Sequence, residues 1–282
     1  MAAASGSYVS RVGKDILSLS IASVIRTSLG GFKEGRKSLE DTYRAVSPFS
    51  PLKHGAGRKM LEQIPAVSLE SLGGMPEQVT LDMRFVDIDG ATPFRDLIAI
   101  LSLAKRQNPK AVLEFGTYYG STTANLALNF PDATIHTIDL PEDTREAGAL
   151  IEGQPVNDLH LIRGRKLGKS FRGTPLERNI VQHQGDTARY DYSAIRDRVT
   201  VFLIDGSHTY EYARSDTMRS LALAQGESTF MWHDCDCYTL GVTTWLAEMI
   251  RAGLPVVRVR DTSLACMKID AQDERVRAVL HS

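Results

Sequence analysis

The sequence predicts an α/β fold built on a doubly wound, largely parallel sheet. Two observations carry this. Short apolar runs rich in β-branched residues recur after residue 110: AVLEF, ATIHTID, NIVQHQ, VTVFLID, STFMWHD, PVVRVR and LACMKID. Helical patterns separate several of them, at 121–129, 210–224 and 241–252. Strands alternating with helices require crossover connections, which make neighbouring strands parallel and cover both faces of the sheet. The last two runs are separated only by Asp261 to Ser263, a tight connection that predicts an antiparallel hairpin at one edge. In such a sheet a ligand is expected beyond the carboxyl ends of the strands.

Ahead of that pattern, residues 1–90 form an expected extension, a cap or dimerisation arm. Ile16, Leu17, Ile21, Val24, Ile25 and Leu29 fall near one face of a helix. That face would suit a homodimer. The apolar stretch is too short to span a bilayer and lacks a small-residue cleavage site, so a cytoplasmic protein without membrane attachment is expected. The second region, 91–282, opens with Thr92 as a helix cap and Pro93 in the first turn, followed by Phe94, Leu97, Ile98, Ile100, Leu101 and Leu103 on an apolar side.

Charge narrows the class of partner. The chain has 33 basic and 34 acidic residues in 282, a net charge of -1, which gives no footprint for nucleic acid or an anionic membrane. A small molecule is the expected partner. Three cysteines, Cys235, Cys237 and Cys266, are too few for a disulfide framework and read as structural.

The most informative stretch is AVLEFGTYYGSTTANLA, residues 111–127. A strand ends at Glu114 and Phe115, a loop runs from Gly116 to Gly120, and a helix starts near Ser121. Gly116 permits torsions that a side chain resists, and Gly120 permits close approach of a ligand to the helix start. Glycines spaced G-x-x-x-G are not the dinucleotide fingerprint, and a pyrophosphate would meet Glu114 unfavourably. A cationic ligand would not, which favours S-adenosylmethionine. The next strand ends at Asp139, 23 positions after Gly116, near the roughly 20-residue offset at which an acid reaches a ribose. The third ends in HQGD, where Asp186 is placed to accept from the exocyclic amine of adenine and Thr187 adds a hydroxyl. Thr117, Tyr118, Ser121, Thr122, Leu140 and Asp205 complete the expected cofactor site.

EFGTYYGSTTANLA, HTIDLP, QGDTARYD, LIDGSHTYEYARSDT and WHDCD together resemble the class I S-adenosylmethionine-dependent methyltransferases. The likeness is to the small-molecule and sugar O-methyltransferase branch, including macrolide sugar O-methyltransferases and the cephalosporin hydroxylase-like group, over roughly residues 85–270. It implies a Rossmann-like sheet of seven strands with an antiparallel last strand. It also implies that Glu114, Gly116 and Gly120 hold the amino acid part of the cofactor, Asp139 the ribose, and the segment at Asp186 the adenine.

At the fourth and fifth strand ends, Asp205 is followed by His208, and His233 stands beside Asp234. Methyl transfer to a hydroxyl needs a base, and His208 is the first candidate, with His233 as a second catalytic group. Asp205 and Asp234 are candidate ligands for a divalent cation, magnesium or manganese. In the resembling sugar O-methyltransferases a Glu-Asp pair supplies ligands where this chain has His233-Asp234, and imidazole suits magnesium poorly. A long connection, about 140–178, carries Arg163, Arg165, Lys166, Lys169, Arg172 and Arg178 and reads either as a solvated basic loop or as a mobile lid over the cofactor and an acidic acceptor. The expected activity is O-methyl transfer to a small hydroxylated acceptor, a sugar or glycosylated metabolite. A nicotinamide-dependent oxidoreductase and a non-catalytic nucleoside-binding subunit are the alternatives.

Overall fold

The computed structural model describes residues 51–73, 78–82, 90–144, 150, 165–195 and 198–281. The expected helix at 16–29 lies outside them, as do residues 145–149 and 151–164 of the long connection. Contacts divide the chain into two units, Met1–His54 and Gly55–Ser282. The sheet-bearing unit therefore begins well before residue 91.

Among the described residues its sheet has eight strands: β1 (Ala66–Val67), β2 (Ala111–Phe115), β3 (Thr134–Asp139), β4 (Ile180–Gln184), β5 (Val199–Ile204), β6 (Glu227–Trp232), β7 (Val257–Val259) and β8 (Ala265–Asp270). The spatial order is β1-β7-β8-β6-β5-β2-β3-β4. All neighbouring pairs are parallel except those made by β8, which runs antiparallel to both β6 and β7. Seven strands and the antiparallel last strand are as expected. The eighth is β1, a two-residue strand too short to show an alternating pattern, held parallel to β7 by Arg258 N–H to Pro65 O (2.8 Å) and Arg260 N–H to Val67 O (2.9 Å). The predicted hairpin exists, closed by Val259 N–H to Leu264 O at 2.8 Å, but β1 and not the hairpin forms that edge.

Among the described residues six helices accompany the sheet: α1 (Pro51–Leu61), α2 (Phe94–Gln107), α3 (Ser121–Asn129), α4 (Tyr210–Leu223), α5 (Leu240–Arg251) and α6 (Glu274–Leu280). Because side chains alternate along a strand, β5 sends Val201 and Leu203 to one face and Phe202 and Ile204 to the other. On the first face they meet Leu97, Ile100 and Leu101 of α2. On the second, Phe202 stacks on Phe230 with centroids 5.0 Å apart, beside Trp232 and Trp245. The central strands are buried on both sides, which is why they read as continuous apolar runs rather than alternating ones. No helix among the described residues is long and apolar enough to cross a membrane.

One buried hydroxyl ties α4, α5 and β6 together. Thr217 Oγ1 accepts from Trp232 Nε1 (2.7 Å) and Trp245 Nε1 (3.0 Å) and donates to Ala213 O (2.6 Å). Thr217→Val keeps the shape but strands two buried indole N–H groups, so urea denaturation should show a loss of about 2 to 4 kcal/mol. A loss indistinguishable from zero would show that the indoles find other acceptors.

Candidate active site

A cavity of about 430 Å³ opens at the carboxyl ends of β2, β3, β5 and β6, with residues following β4 at one end. Its lining brings together Glu114, Gly116, Thr117, Tyr118, Gly120, Ser121, Thr122, Asp139, Leu140, Asp186, Thr187, Asp205, His208, His233 and Asp234, every site residue expected from sequence.

The two glycines are required by crowding. Gly116 has φ +95°, and a Cβ there would sit 2.1 Å from the carbonyl oxygen of Asp205, where the ends of β2 and β5 converge. Gly120 has φ +77°, and its Cβ would meet the Phe171 ring at 2.6 Å. The second glycine thus admits a side chain of the long connection, a reason the sequence alone did not disclose. Gly168 N–H donates to Tyr118 O (3.0 Å) and Ser170 N–H to Tyr119 O (2.9 Å), so residues 168–171 are clamped onto the loop. Leu167, Ser170 and Phe171 are buried while Lys166, Lys169, Arg172 and Arg178 are exposed. In this part of the connection the apolar side chains pack on the glycine loop and the basic ones face outward. Arg163 lies outside the described residues.

Asp139 anchors the same loop. Its Oδ2 accepts from the backbone N–H of Thr117 (3.1 Å) and Tyr118 (2.8 Å). Its Oδ1 accepts from Leu140 N–H (2.7 Å) and faces the buried Arg165 guanidinium at 3.1 Å. Four donors match the lone-pair capacity of a carboxylate, so a ribose diol using this group must share or displace one. Burial raises the Asp139 pKa, against the pull of Arg165 and the three N–H groups.

Glu114, at the floor, is 1% exposed. Its Oε2 accepts from Thr137 Oγ1 (2.6 Å) and from the Thr123 hydroxyl, and Thr117 Oγ1 in turn contacts Thr137 Oγ1 at 2.8 Å. Burial pushes its carboxyl up to about 8, the two hydroxyls opposing and the charges of Asp205 and Asp139 reinforcing. The sequence reading took Glu114 as a standing negative charge. With its carboxyl near 8 it is instead largely protonated at neutral pH, and a cationic ligand beside it would stabilise the ionised form.

At the other end of the cavity, Asp186 Oδ1 accepts from Tyr212 Oη (2.8 Å) and Ala188 N–H (3.0 Å). Asp216 of α4, also lining the cavity, is 1% exposed; burial pushes it up to about 7, opposed by a hydrogen bond from Thr187. Sequence reasoning missed Tyr212 and Asp216: both lie within LIDGSHTYEYARSDT, but inside α4, where nothing in the sequence marks which side chains face the strand ends.

The acidic residues at the ends of β5 and β6 are assembled around His233. His233 Nδ1 lies 3.2 Å from both Asp205 Oδ1 and Asp234 Oδ2, and Nε2 lies 3.0 Å from Asp96 Oδ2 and 3.2 Å from Ser263 Oγ. Asp96 also accepts from Ser263 N–H (3.1 Å) and Ser263 Oγ (2.5 Å). Burial disfavours a charged His233, yet Asp205, Asp234 and Asp96 outweigh it and raise its pKa well above the usual value. Thr92, expected as a helix cap, makes no cap hydrogen bond; Pro93 takes that position, and the Thr92 hydroxyl contacts Thr122 Oγ1 (2.7 Å) and Asp205 Oδ2 (3.5 Å).

His208 Nε2 sits 2.7 Å from Asp234 Oδ2. Burial works to raise the pKa of Asp234, but the two histidines hold it well below the ordinary carboxylate range. Asp234 adopts φ +56°, a left-handed conformation that aspartate tolerates, and its carboxylate contacts both rings. Asp205, His208 and Asp234 each offer a ligand atom within 4.8 Å of the others, the arrangement expected for a metal site. They fit a hard divalent cation poorly: such an ion wants six or more oxygen ligands, and Asp234 Oδ2 is already shared by two imidazoles. Cys235 and Cys266 are buried with thiols pushed up to about 12 by desolvation, in keeping with structural roles.

Residues 113–235 match the family model described as a methyltransferase domain. No curated protein matches the chain. Among solved structures, one similar chain is a putative caffeoyl-CoA O-methyltransferase from Staphylococcus aureus, at 12% identity and a TM-score of 0.46, covering 84% of this chain and 100% of that one. Another is the O-methyltransferase TomG from Streptomyces achromogenes, solved with S-adenosylmethionine, at 12% identity and a TM-score of 0.43, covering 83% of this chain and 96% of that one. A third is an O-methyltransferase from Bacillus cereus in complex with S-adenosylhomocysteine, at 11% identity and 0.43, covering 83% and 97%. Values this low carry nothing about chemistry.

The Glu114 environment has a consequence for stability against pH. The folded protein keeps this proton up to about pH 8, whereas the unfolded chain releases it near the ordinary value of 4.5. Across that window the unfolded state binds fewer protons, so stability falls as pH rises. Glu114→Gln retains an acceptor for both threonines and cannot ionise. Its melting temperature relative to the parent should rise between pH 5 and pH 8, by on the order of 5 °C; a pH-independent difference would contradict the assigned environment.

Proposed function

We propose that the protein is an S-adenosylmethionine-dependent O-methyltransferase acting on a small hydroxylated acceptor, a sugar or glycosylated metabolite. The observation that carries this reading is the His208–Asp234 pair, 2.7 Å apart, in the same cavity as the glycine loop and its buried acid Glu114.

When bound, S-adenosylmethionine supplies an electrophilic methyl group on a positively charged sulfur. The chain's own groups account for the rest. Glu114, poised to ionise, offers its charge to a cationic group at the loop, and the pinned backbone of Thr117 to Gly120 keeps that surface preformed. Asp186, Thr187, Tyr212 and Asp216 give the far end of the cavity polar groups for a nucleobase. The loop glycines are spaced G-x-x-x-G and not as the dinucleotide fingerprint, so the nicotinamide alternative is the weaker one.

His208 takes the acceptor proton. With its Nε2–H directed at Asp234, the neutral ring keeps its lone pair on Nδ1, and the imidazolium formed on proton transfer is stabilised by the same carboxylate. Carboxylates and hydroxyls about this corner, among them Asp205, Thr92 and Ser207, suit an acceptor rich in hydroxyl groups.

Isothermal titration with S-adenosylmethionine and S-adenosylhomocysteine is the first test, and binding of neither ends this reading. His208→Ala should lower kcat roughly 100- to 10,000-fold while leaving donor affinity within about threefold. Parental kcat in that variant would remove His208 from the chemistry.

A further inference from the structure

The acidic corner of the site has a feature that its methyl-transfer role does not require. Three carboxylates, Asp96, Asp205 and Asp234, point at one side chain, and it is an imidazole. The ring lies within hydrogen-bonding distance of all three, with Nε2 toward Asp96 and Nδ1 between Asp205 and Asp234. Ser263 fixes the ring from the far side by binding Asp96 through both its N–H and its hydroxyl.

We propose that His233 occupies the place of a cation in this cluster, so that the site is closed by the chain's own imidazole and takes no divalent metal ion. Its Nδ1 stands 3.2 Å from both Asp205 and Asp234, between the two carboxylates that would have to share an ion. The Asp234 oxygen facing it also accepts from His208 at 2.7 Å, which uses both lone-pair directions of that atom. Asp96 meets the opposite ring nitrogen at 3.0 Å. Metal entry would require turning His233 out of a position where it is 8% exposed and leaving the buried Asp96 with Ser263 as its remaining partner. Within this cluster His233 is a positioning residue: it holds Asp234 toward His208 and Asp205 at the cavity wall.

The same geometry predicts what removal of the ring would do. His233→Gln keeps a hydrogen-bonding side chain but takes the ring from between Asp205, Asp234 and Asp96, leaving three carboxyl groups facing a space that a cation can enter. The inference concerns the site of the proposed methyl transfer, but it is tested by metal binding alone, so its failure is separate from failure of the donor reading. The probe is Mn²⁺ added to the full-length, chelator-stripped protein, followed by the electron paramagnetic resonance signal of free Mn²⁺. The parent should leave that signal unchanged. His233→Gln should bind Mn²⁺ roughly tenfold or more tighter than the parent and gain thermal stability on adding it, and both effects should vanish in His233→Gln combined with Asp234→Asn. One Mn²⁺ bound per parent chain and lost in Asp234→Asn overturns the proposal, and that measurement stands even if the glutamine variant does not fold. A folded His233→Gln variant with no gain in Mn²⁺ affinity overturns it as well.

Discussion

The carboxylate of Asp139 is the joint on which the site depends. A strand end, a loop and a long connection would each be free to move by themselves. Asp139 ties them together because one small anion satisfies two loop N–H groups, the N–H of Leu140 and the buried guanidinium of Arg165. Unpaired, the anion would be costly to bury and the N–H groups would be orphaned. Paired, they fix the shape of residues 116–120 before any ligand arrives. Phe171 then packs where Gly120 has no side chain, so the connection becomes a wall of the cavity.

Charge is handled differently at the two ends of this cavity. Around Glu114 the protein supplies hydroxyls but no cation, leaving the acid protonated and ready to respond to a positively charged guest. Around Asp234 it supplies two imidazoles, which hold that acid well below the ordinary carboxylate range. Acids of one type therefore do unlike work within one pocket, and the difference lies in their neighbours.

Much of this was legible in the sequence. The strand-helix alternation fixed the doubly wound sheet and its terminal hairpin, and the strand-end rule placed Glu114, Asp139, Asp186, Asp205 and Asp234 around one cavity. What could not be read was set by contacts distant along the chain. Asp96 looked like an ordinary first-turn acid of a helix; it matters because His233, 137 positions further along the chain, lies against it. Thr92 looked like a cap, and its hydroxyl turned out to face the site. Asp139 was legible in place but not in its bonding, since its partners Thr117 and Arg165 flank it from elements that only the fold brings together. Strand β1 escaped notice because two residues carry no period.

That short strand bears on how the molecule meets other copies of itself. Open sheet edges invite a further strand from a neighbouring chain. Here β1 covers β7 and presents only two residues of its own. The opposite edge, β4, reads IVQHQ, with Val181 its one markedly exposed apolar side chain. Both borders are thus poor templates for cross-chain β-pairing, so the sheet is guarded against growing into fibres by the brevity of one border and the polarity of the other.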